Sequence, residues 1–400
     1  MSLASRCLSG ERQAPASGAR RPPADWNVLV SVLALLLLAV DAHGQGWTWK
    51  VETVDQSAKF SSAVVDDLGN LHIAYLKELD GIKYGFRPAG SSQWFTMVVD
   101  RRQGFVRLAV DRAGNPHLCF NSVGNLWYAH WDGKSWTVQQ IAPGSGEISY
   151  SCSVAVGPDG TPHLTWYQYG GQEEHFYLHI KYAVLQGGAW LARTIDFDGE
   201  TGKWNAMVTD PEGNPCISYS AFRKGALKFA RWDGKRWTIS DVDVRSDSPS
   251  NRLNRGFGNS VVVDSQGNAH ISYFDENALK YASQHGNTWS VQTVDLVPTA
   301  VDWAAYRSTV LIDPRGLPHI VYEDAGSVKH AYRDEKQWHV QLITAGGLDP
   351  YRFSSAAIDS QGTIYISYRD PINGSLKVAV GHPQAALQAT ATDKDKKDQK

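Results

Sequence analysis

Residues 260–274 read SVVVDSQGNAHISYF: an apolar run ends at Asp264, the chain turns at Gly267, and a second apolar run starts at His270. Six further stretches repeat the pattern: SSAVVDDLGNLHIAY from Ser61, VRLAVDRAGNPHLCF from Val106, SVAVGPDGTPHLTWY from Ser153, NAMVTDPEGNPCISY from Asn205, TVLIDPRGLPHIVYE from Thr309 and SSAAIDSQGTIYISY from Ser354. The turn glycine is present each time, as Gly69, Gly114, Gly160, Gly213, Gly267, Gly316 and Gly362, at spacings of 45, 46, 53, 54, 49 and 46 residues. A recurring unit of about 20 to 50 residues marks a solenoid or a propeller, because one unit alone cannot bury its apolar face. The glycine allows the positive φ of a tight hairpin, so each stretch reads as two antiparallel strands.

Two more strands follow in each unit. A third carries an aliphatic-Lys-aromatic pattern, as in Ile82-Lys83-Tyr84, Ile180-Lys181-Tyr182, Leu227-Lys228-Phe229 and Leu279-Lys280-Tyr281. A fourth opens with tryptophan, at Trp94, Trp136, Trp190, Trp237, Trp289 and Trp338. Four short antiparallel strands at this period form one propeller blade. The seventh unit stops after its third strand, Leu376-Lys377-Val378, while Trp49-Lys50-Val51-Glu52-Thr53-Val54-Asp55 near the other end has the Trp-to-Asp spacing of a fourth strand. The sequence therefore predicts an all-β fold: a seven-bladed β-propeller of four-stranded antiparallel blades over residues 45–381, its ring closed by the N-terminal strand. Such closure hides strand edges that would otherwise invite aggregation.

Outside the repeats the chain changes character. Arg6, Arg12, Arg20 and Arg21 precede the 13-residue apolar run VLVSVLALLLLAV at 28–40, and Ala42-His43-Gly44 supplies a small-x-small cleavage site. Residues 1–44 are read as a secretory signal, too short in its apolar part to span a bilayer, and the product is expected in an extracytoplasmic or secreted location with no membrane span after cleavage. The segment 382–400, ending ATDKDKKDQK, is polar and charged and is expected to be disordered. Loss of the leader leaves 35 basic and 38 acidic side chains, a balance that offers no field for nucleic acid. Of the remaining cysteines Cys119, Cys152 and Cys216, the odd number and spacing suggest buried small hydrophobes, with stability from packing instead of cross-links. No cofactor or metal is implied, and a monomer is expected.

The recurring polar residues are read as structural. Asp66, Asp111, Asp210, Asp264, Asp313 and Asp359 lie three residues before the turn glycine, and His72, His117, His163, His270 and His319 start the second strand. A feature present in most blades serves what all blades share, which is folding. The fourth-strand tryptophans are expected between neighbouring blades. The repeated lysine either meets a buried carboxylate or lies along the blade with its ammonium in water.

Function is placed where the blades differ, on the face where loops entering the first strands meet loops joining the second and third. Two of these loops are long, at 244–258 and 167–179. Aromatics nine or ten residues before each glycine, Phe60, Phe105, Tyr150, Trp204, Phe257, Tyr306 and Phe353, ring the channel mouth, where core packing is the main expectation and stacking on sugars the functional one. Around them fall Arg107, Arg255, Arg307 and Arg352, with Asp275, Glu276, Glu323, Asp324 and Asp370 after second strands. The candidate ligand-binding set is Arg107, Trp204, Arg255, Asp275, Tyr306, Arg307, Glu323, Tyr351, Arg352 and Asp370, for a glycan or protein ligand; these charges can bind an acidic sugar or a peptide, or neutralise one another. Asp196-Phe197-Asp198-Gly199 has the start of a calcium loop but no further spaced oxygen ligands, and reads as an acidic surface loop.

The turns Trp131-Asp132-Gly133-Lys134-Ser135-Trp136 and Trp232-Asp233-Gly234-Lys235-Arg236-Trp237 resemble the Asp-box turn of sialidase-like (BNR-repeat) propellers, and the repeats of propeller lectins that bind fucose. The resemblance covers roughly residues 46–381. The chain is read as an exported non-catalytic propeller that binds a glycan or protein at the channel-mouth face, with a sialidase-like glycoside hydrolase or lyase at the same face as the alternative and a structural or assembly protein as a second alternative. A sialidase would carry an Arg-Ile-Pro motif; Tyr306-Arg307-Ser308 and Tyr351-Arg352-Phe353 depart from it, and no catalytic residue is carried over. N-terminal sequencing of exported protein should begin at Gln45; a chain retaining residues 28–40 would rule out cleavage.

Overall fold

The computed structural model describes residues 46–142, 148–170, 177–198, 200–244, 255–297, 307–324, 326–346 and 354–383. The leader at 1–44 and the tail from 384 lie outside them. The described residues form seven four-stranded antiparallel sheets, and no helix among them is long and apolar enough to cross a membrane. Blade 1 runs through Lys59–Val65, Leu71–Lys77, Gly81–Arg87 and Phe95–Asp100. Blades 2 to 6 repeat that order from first strands Phe105–Val110, Ile148–Val156, Thr201–Thr209, Arg255–Val263 and Ser308–Ile312. Each first strand touches the first strands of both neighbouring blades, including those of blades 7 and 1, so these seven strands line the centre of a closed ring.

Blade 7 joins the two ends of the chain. Its first three strands are Ser355–Ile358, Ile364–Arg369 and Leu376–Pro383, and its fourth is Trp47–Asp55. The register runs from Trp47 opposite Pro383 to Asp55 opposite Leu376, so the last strand continues two residues past the expected end at 381. The Trp49 ring lies over Gly381, close enough to collide with any Cβ added there. A side chain at 381 would have to push the Trp49 ring aside.

The repeat positions have the structural roles expected of them. All seven turn glycines hold φ between 80° and 89°. Asp66 accepts the backbone N–H groups of Leu68 at 3.0 Å and Asn70 at 2.8 Å, and its second oxygen meets His72 at 3.2 Å. The other nitrogen of His72 is hydrogen-bonded to the Tyr84 hydroxyl at 2.6 Å, and the same His–Tyr bond recurs at His117–Tyr128, His163–Tyr182 and His270–Tyr281. Between blades, each of the seven hydrophobic clusters draws on two adjacent sheets. Trp136, Trp190, Trp237, Trp289 and Trp338 set their rings edge-on to Tyr84, Tyr128, Tyr182, Phe229 and Tyr281 of the preceding blade.

The cysteine expectation is corrected: Cys119 of blade 2 and Cys152 of blade 3 form a disulfide, with Cα atoms 6.3 Å apart, and among the described residues only Cys216 is a buried free thiol. The reason lies in the repeat geometry. The second strand of each blade and the first strand of the next face each other at one fixed pair of positions, two residues after the repeat histidine and five before the turn aspartate. Polar pairs fill it at Ser367–Ser61 (2.9 Å), Thr165–Asn205 (2.8 Å), Ser218–Asn259 (2.6 Å) and Ser272–Ser308 (2.8 Å). Ala74 and Val106 fill it between blades 1 and 2, and the disulfide fills it between blades 2 and 3.

Replacing both Cys119 and Cys152 by Ala should cost about 4 kcal/mol in a urea melt, as expected for a closed loop of this size. The double change Cys119→Ser with Cys152→Ser should recover about 1 kcal/mol of that, because a serine pair is what other junctions of this ring use. Burial, with His130 as a further charge on His117, holds His117 and His163 down to about 4. The unfolded chain takes up these protons first, near pH 6.5, so their contribution is complete above that pH and is lost as pH falls toward 4. A melting series should show stability dropping across that window, and the drop should shrink in a His163→Gln variant.

Candidate functional site

The channel mouth is shaped by bulges at the start of the first strands. The pairing of first and second strands shifts around Phe60, Trp204 and Phe257, and Phe60 and Trp204 sit at φ of 50° and 55°. A positive φ on a bulky residue is costly, so something must hold it. In blades 4 and 5 the amide groups of Asn205 and Asn259 do so, donating to the carbonyls of Gly202 at 3.0 Å and Gly256 at 2.8 Å. Asn259 also donates to the carbonyl of Trp204, which ties the two bulges together.

The aromatics so placed meet across blades. Phe60 and Phe105 lie with ring centroids 4.1 Å apart, and Trp204 meets Phe257 at 5.6 Å, edge to face. Phe60 and Phe257 are buried, whereas Trp204 stays half-buried with one face under the guanidinium of Arg307, 4.4 Å from the ring centroid. Arg307 belongs to blade 6, two blades on, so it leans over the mouth. Its carbonyl accepts the N–H of Glu323 at 3.0 Å, and the Glu323 carboxylate accepts the N–H of Ser354 in blade 7. Burial first, and the positive charge of Arg107 second, push Arg307 well below its ordinary value, with Glu323 opposing. Arg107 comes from the first strand of blade 2, nearly across the ring, and is itself lowered by burial. Trp204, Arg307 and Glu323 are thus joined by direct contacts, and Arg107 stands on the first strand of blade 2 across the ring.

The other candidates are placed differently. Asp275 is bound by Lys280 at 2.6 Å and belongs to a node that also answers the lysine question. The aspartate ending the fourth strand of one blade receives a lysine and a tyrosine hydroxyl from the next: Asp55 from Lys83 at 2.6 Å and Tyr75 at 2.6 Å, Asp196 from Lys228 at 2.9 Å and Tyr219 at 2.8 Å. Asp243 and Asp295 are used in the same way by Lys280 with Tyr273, and by Lys329 with Tyr322. Burial alone would raise the Asp55 carboxyl, yet donation from Lys77, Lys83 and Tyr75 brings it down to about 2. Asp196, read from sequence as part of an acidic surface loop, is therefore buried inside this node. Asp370 caps a turn through the N–H of Ile372 at 2.8 Å.

Tyr306, Tyr351 and Arg352 lie outside the described residues, as do 245–254 and 171–176 of the two long loops; Arg255 is described in backbone only, opposite Asp275. Sequence reasoning misses one residue at the mouth. Asn121 closes the second strand of blade 2, four residues after its repeat histidine, the position Glu323 holds in blade 6. Comparing that position across blades, which gives Leu76, Asn121 and Glu323 in blades 1, 2 and 6, is the signal that finds it.

No family model matches the chain, and no curated protein matches it by sequence. Solved structures share its fold. An Aleuria aurantia lectin in complex with Fucα1-6GlcNAc is similar with a TM-score of 0.51 and 15% identity, over 73% of this chain and 97% of the lectin. A polysaccharide lyase, an ulvan lyase bound to -[GlcA(1-4)Rha3S]-, is similar with a TM-score of 0.55 and 11% identity, over 86% of this chain and 99% of the lyase. A Dyadobacter fermentans protein of unknown function is similar at 0.51 and 13% identity, over 84% and 99%. At these identities the likeness is one of fold: this chain is a seven-bladed β-propeller, and its fold resembles that of a lectin and of a polysaccharide lyase.

Proposed function

We propose that the chain is an exported, non-catalytic binding propeller whose channel-mouth face recognises a glycan. The observation that carries this reading is the grouping at one mouth of a half-buried indole, Trp204, with the guanidinium of Arg307 and the carboxylate of Glu323. A flat aromatic beside a few fixed polar groups is the usual composition of a sugar site. The fold supports it, since the Aleuria aurantia lectin is a propeller solved with a fucosylated disaccharide. Export is supported by the leader and by a disulfide, which persists in oxidising compartments.

Hydrolysis at the same face is the weaker reading. A glycosidase needs two carboxylates at a set separation across the scissile bond. Asp275 and Asp324 are each held by a lysine at 2.6 Å, and Asp370 is committed to a turn, so three of the rim acids are engaged in the fold. The ulvan lyase keeps a lyase reading open for comparison, and turnover of polyuronides is its assay.

Purified mature protein on a glycan array should bind a subset of glycans at micromolar concentration, and Trp204→Ala should weaken that binding roughly tenfold or more at a temperature where the variant, though less stable, is still folded by its melting curve. A blank array together with a blank pull-down from native envelope material would retire the reading.

A further inference from the structure

Arg107 is out of place in its own ring. It stands four residues before the turn aspartate of blade 2, where the other blades carry Ser62, Ser153, Ala206, Ser260, Thr309 and Ser355. The four serines serve one purpose: Ser62, Ser153, Ser260 and Ser355 accept a backbone N–H from the first strand of the next blade, at 3.1 to 3.3 Å. A guanidinium has donors only and cannot replace them. Burial weighs on Arg107, and no carboxylate among the described residues offsets it. Arg107 is half-buried, and a charge partly withdrawn from water without a counter-charge is costly to hold.

A second, independent observation lies beside it. Asn121 is 6% exposed, and both its amide nitrogen and its amide oxygen lack a hydrogen-bond partner. Across the first two strands of blade 2, Arg107 sits opposite Cys119 and Phe105 opposite Asn121. Side chains alternate along a strand, so Arg107, Cys119 and Asn121 share one face of the sheet. Cys119 fixes which face: its disulfide reaches blade 3. Arg307 enters from blade 6, and its charge is felt together with that of Arg107. Arg107 stands on the first strand of blade 2 and Arg307 directly before that of blade 6, and these first strands line the centre of the ring.

We infer that Arg107, Asn121 and Arg307 form a receptor in the channel mouth for one anionic group, a carboxylate or a sulfate ester, borne by the glycan. Its attachment to a glycan rests on the function proposed above; the anion receptor stands on these residues alone. The guanidinium fork of Arg107 donates in parallel to two anion oxygens, the Asn121 amide nitrogen donates to one of them, and its oxygen accepts from a neighbouring sugar hydroxyl.

The protein's own blades supply the test variants: Arg107→Ser restores the residue of blades 1, 3, 5 and 7, and Asn121→Leu installs the blade 1 residue Leu76. Thermal melts of the mature chain are compared in sodium glucuronate, sodium sulfate, sodium chloride and glucose at matched ionic strength, because sulfate also stabilises proteins non-specifically. The wild type should gain melting temperature in glucuronate and sulfate beyond the gain of Arg107→Ser, and Arg107→Ser should melt above the wild type in chloride. Asn121→Leu should lose part of the anion-specific gain. Binding of a uronate-containing oligosaccharide should fall roughly tenfold or more in Arg107→Ser, while a neutral ligand changes less than about twofold. Equal anion gains in wild type and Arg107→Ser, or a lower melting point of Arg107→Ser in chloride, would overturn the inference and leave glycan binding as a separate question. An anion-specific gain with no glycan bound would uphold the receptor while overturning its attachment to a sugar.

Discussion

Everything in this molecule depends on one backbone pairing, the antiparallel ladder between Trp47–Asp55 and Leu376–Pro383. A ring of sheets has no strand edge at its seam only if that ladder forms. The ladder also carries side-chain chemistry across the seam. Asp55, at the end of the closing strand, is the acceptor for Lys77, Lys83 and Tyr75 of blade 1, so the strand that completes blade 7 is also bolted to the next sheet.

Around the ring the junctions follow one plan with different chemistry. Apolar clusters supply most of the burial, and the pair of positions that opposes second strand to first is filled by hydroxyls, amides, a disulfide or methyl groups. The aspartate–lysine–tyrosine node behaves in the same modular way, and it changes as a unit. Where Trp136 starts a fourth strand that ends in Ala142, the next blade has Trp166 in place of the tyrosine, and Lys181 turns to Thr194 at 2.6 Å. Where Asp100 is present but the next blade carries Phe120 and Trp127, the aspartate takes Arg102 instead, and the Arg102 guanidinium stacks on Trp127 at 3.7 Å.

The fold is legible in the sequence because turn chemistry and strand patterning agree in every unit. Gly69 to Gly362 mark the hairpins, the tryptophans mark the fourth strands, and Trp49 supplies the missing one. Contacts between units are less legible, since they depend on which face each residue takes. Counting alone sets Cys119 and Cys152 aside; placing each on the repeat shows that they occupy the two halves of one junction. The rim acids are hard to read for a related reason. Asp275 ends a second strand and Glu323 lies one residue before the end of another, but the lysine five residues on, Lys280, draws Asp275 into a node, whereas the Glu323 carboxylate accepts the N–H of Ser354. A single position of difference along an alternating strand separates a structural acid from one at the mouth.

The closing strand has a consequence for how the chain reaches its native state. Thr48 and His382 meet although 334 residues separate them, so the partner of the first strand to be synthesised is among the last. Contacts of that range are slow to form, and until then the early strand and the edge it will cover are both open to wrong partners. Six sheets can assemble as they emerge, but the seventh waits for both termini. Ring formation is therefore a post-synthetic event, and any truncation that removes the final strand leaves the first one unpaired as well.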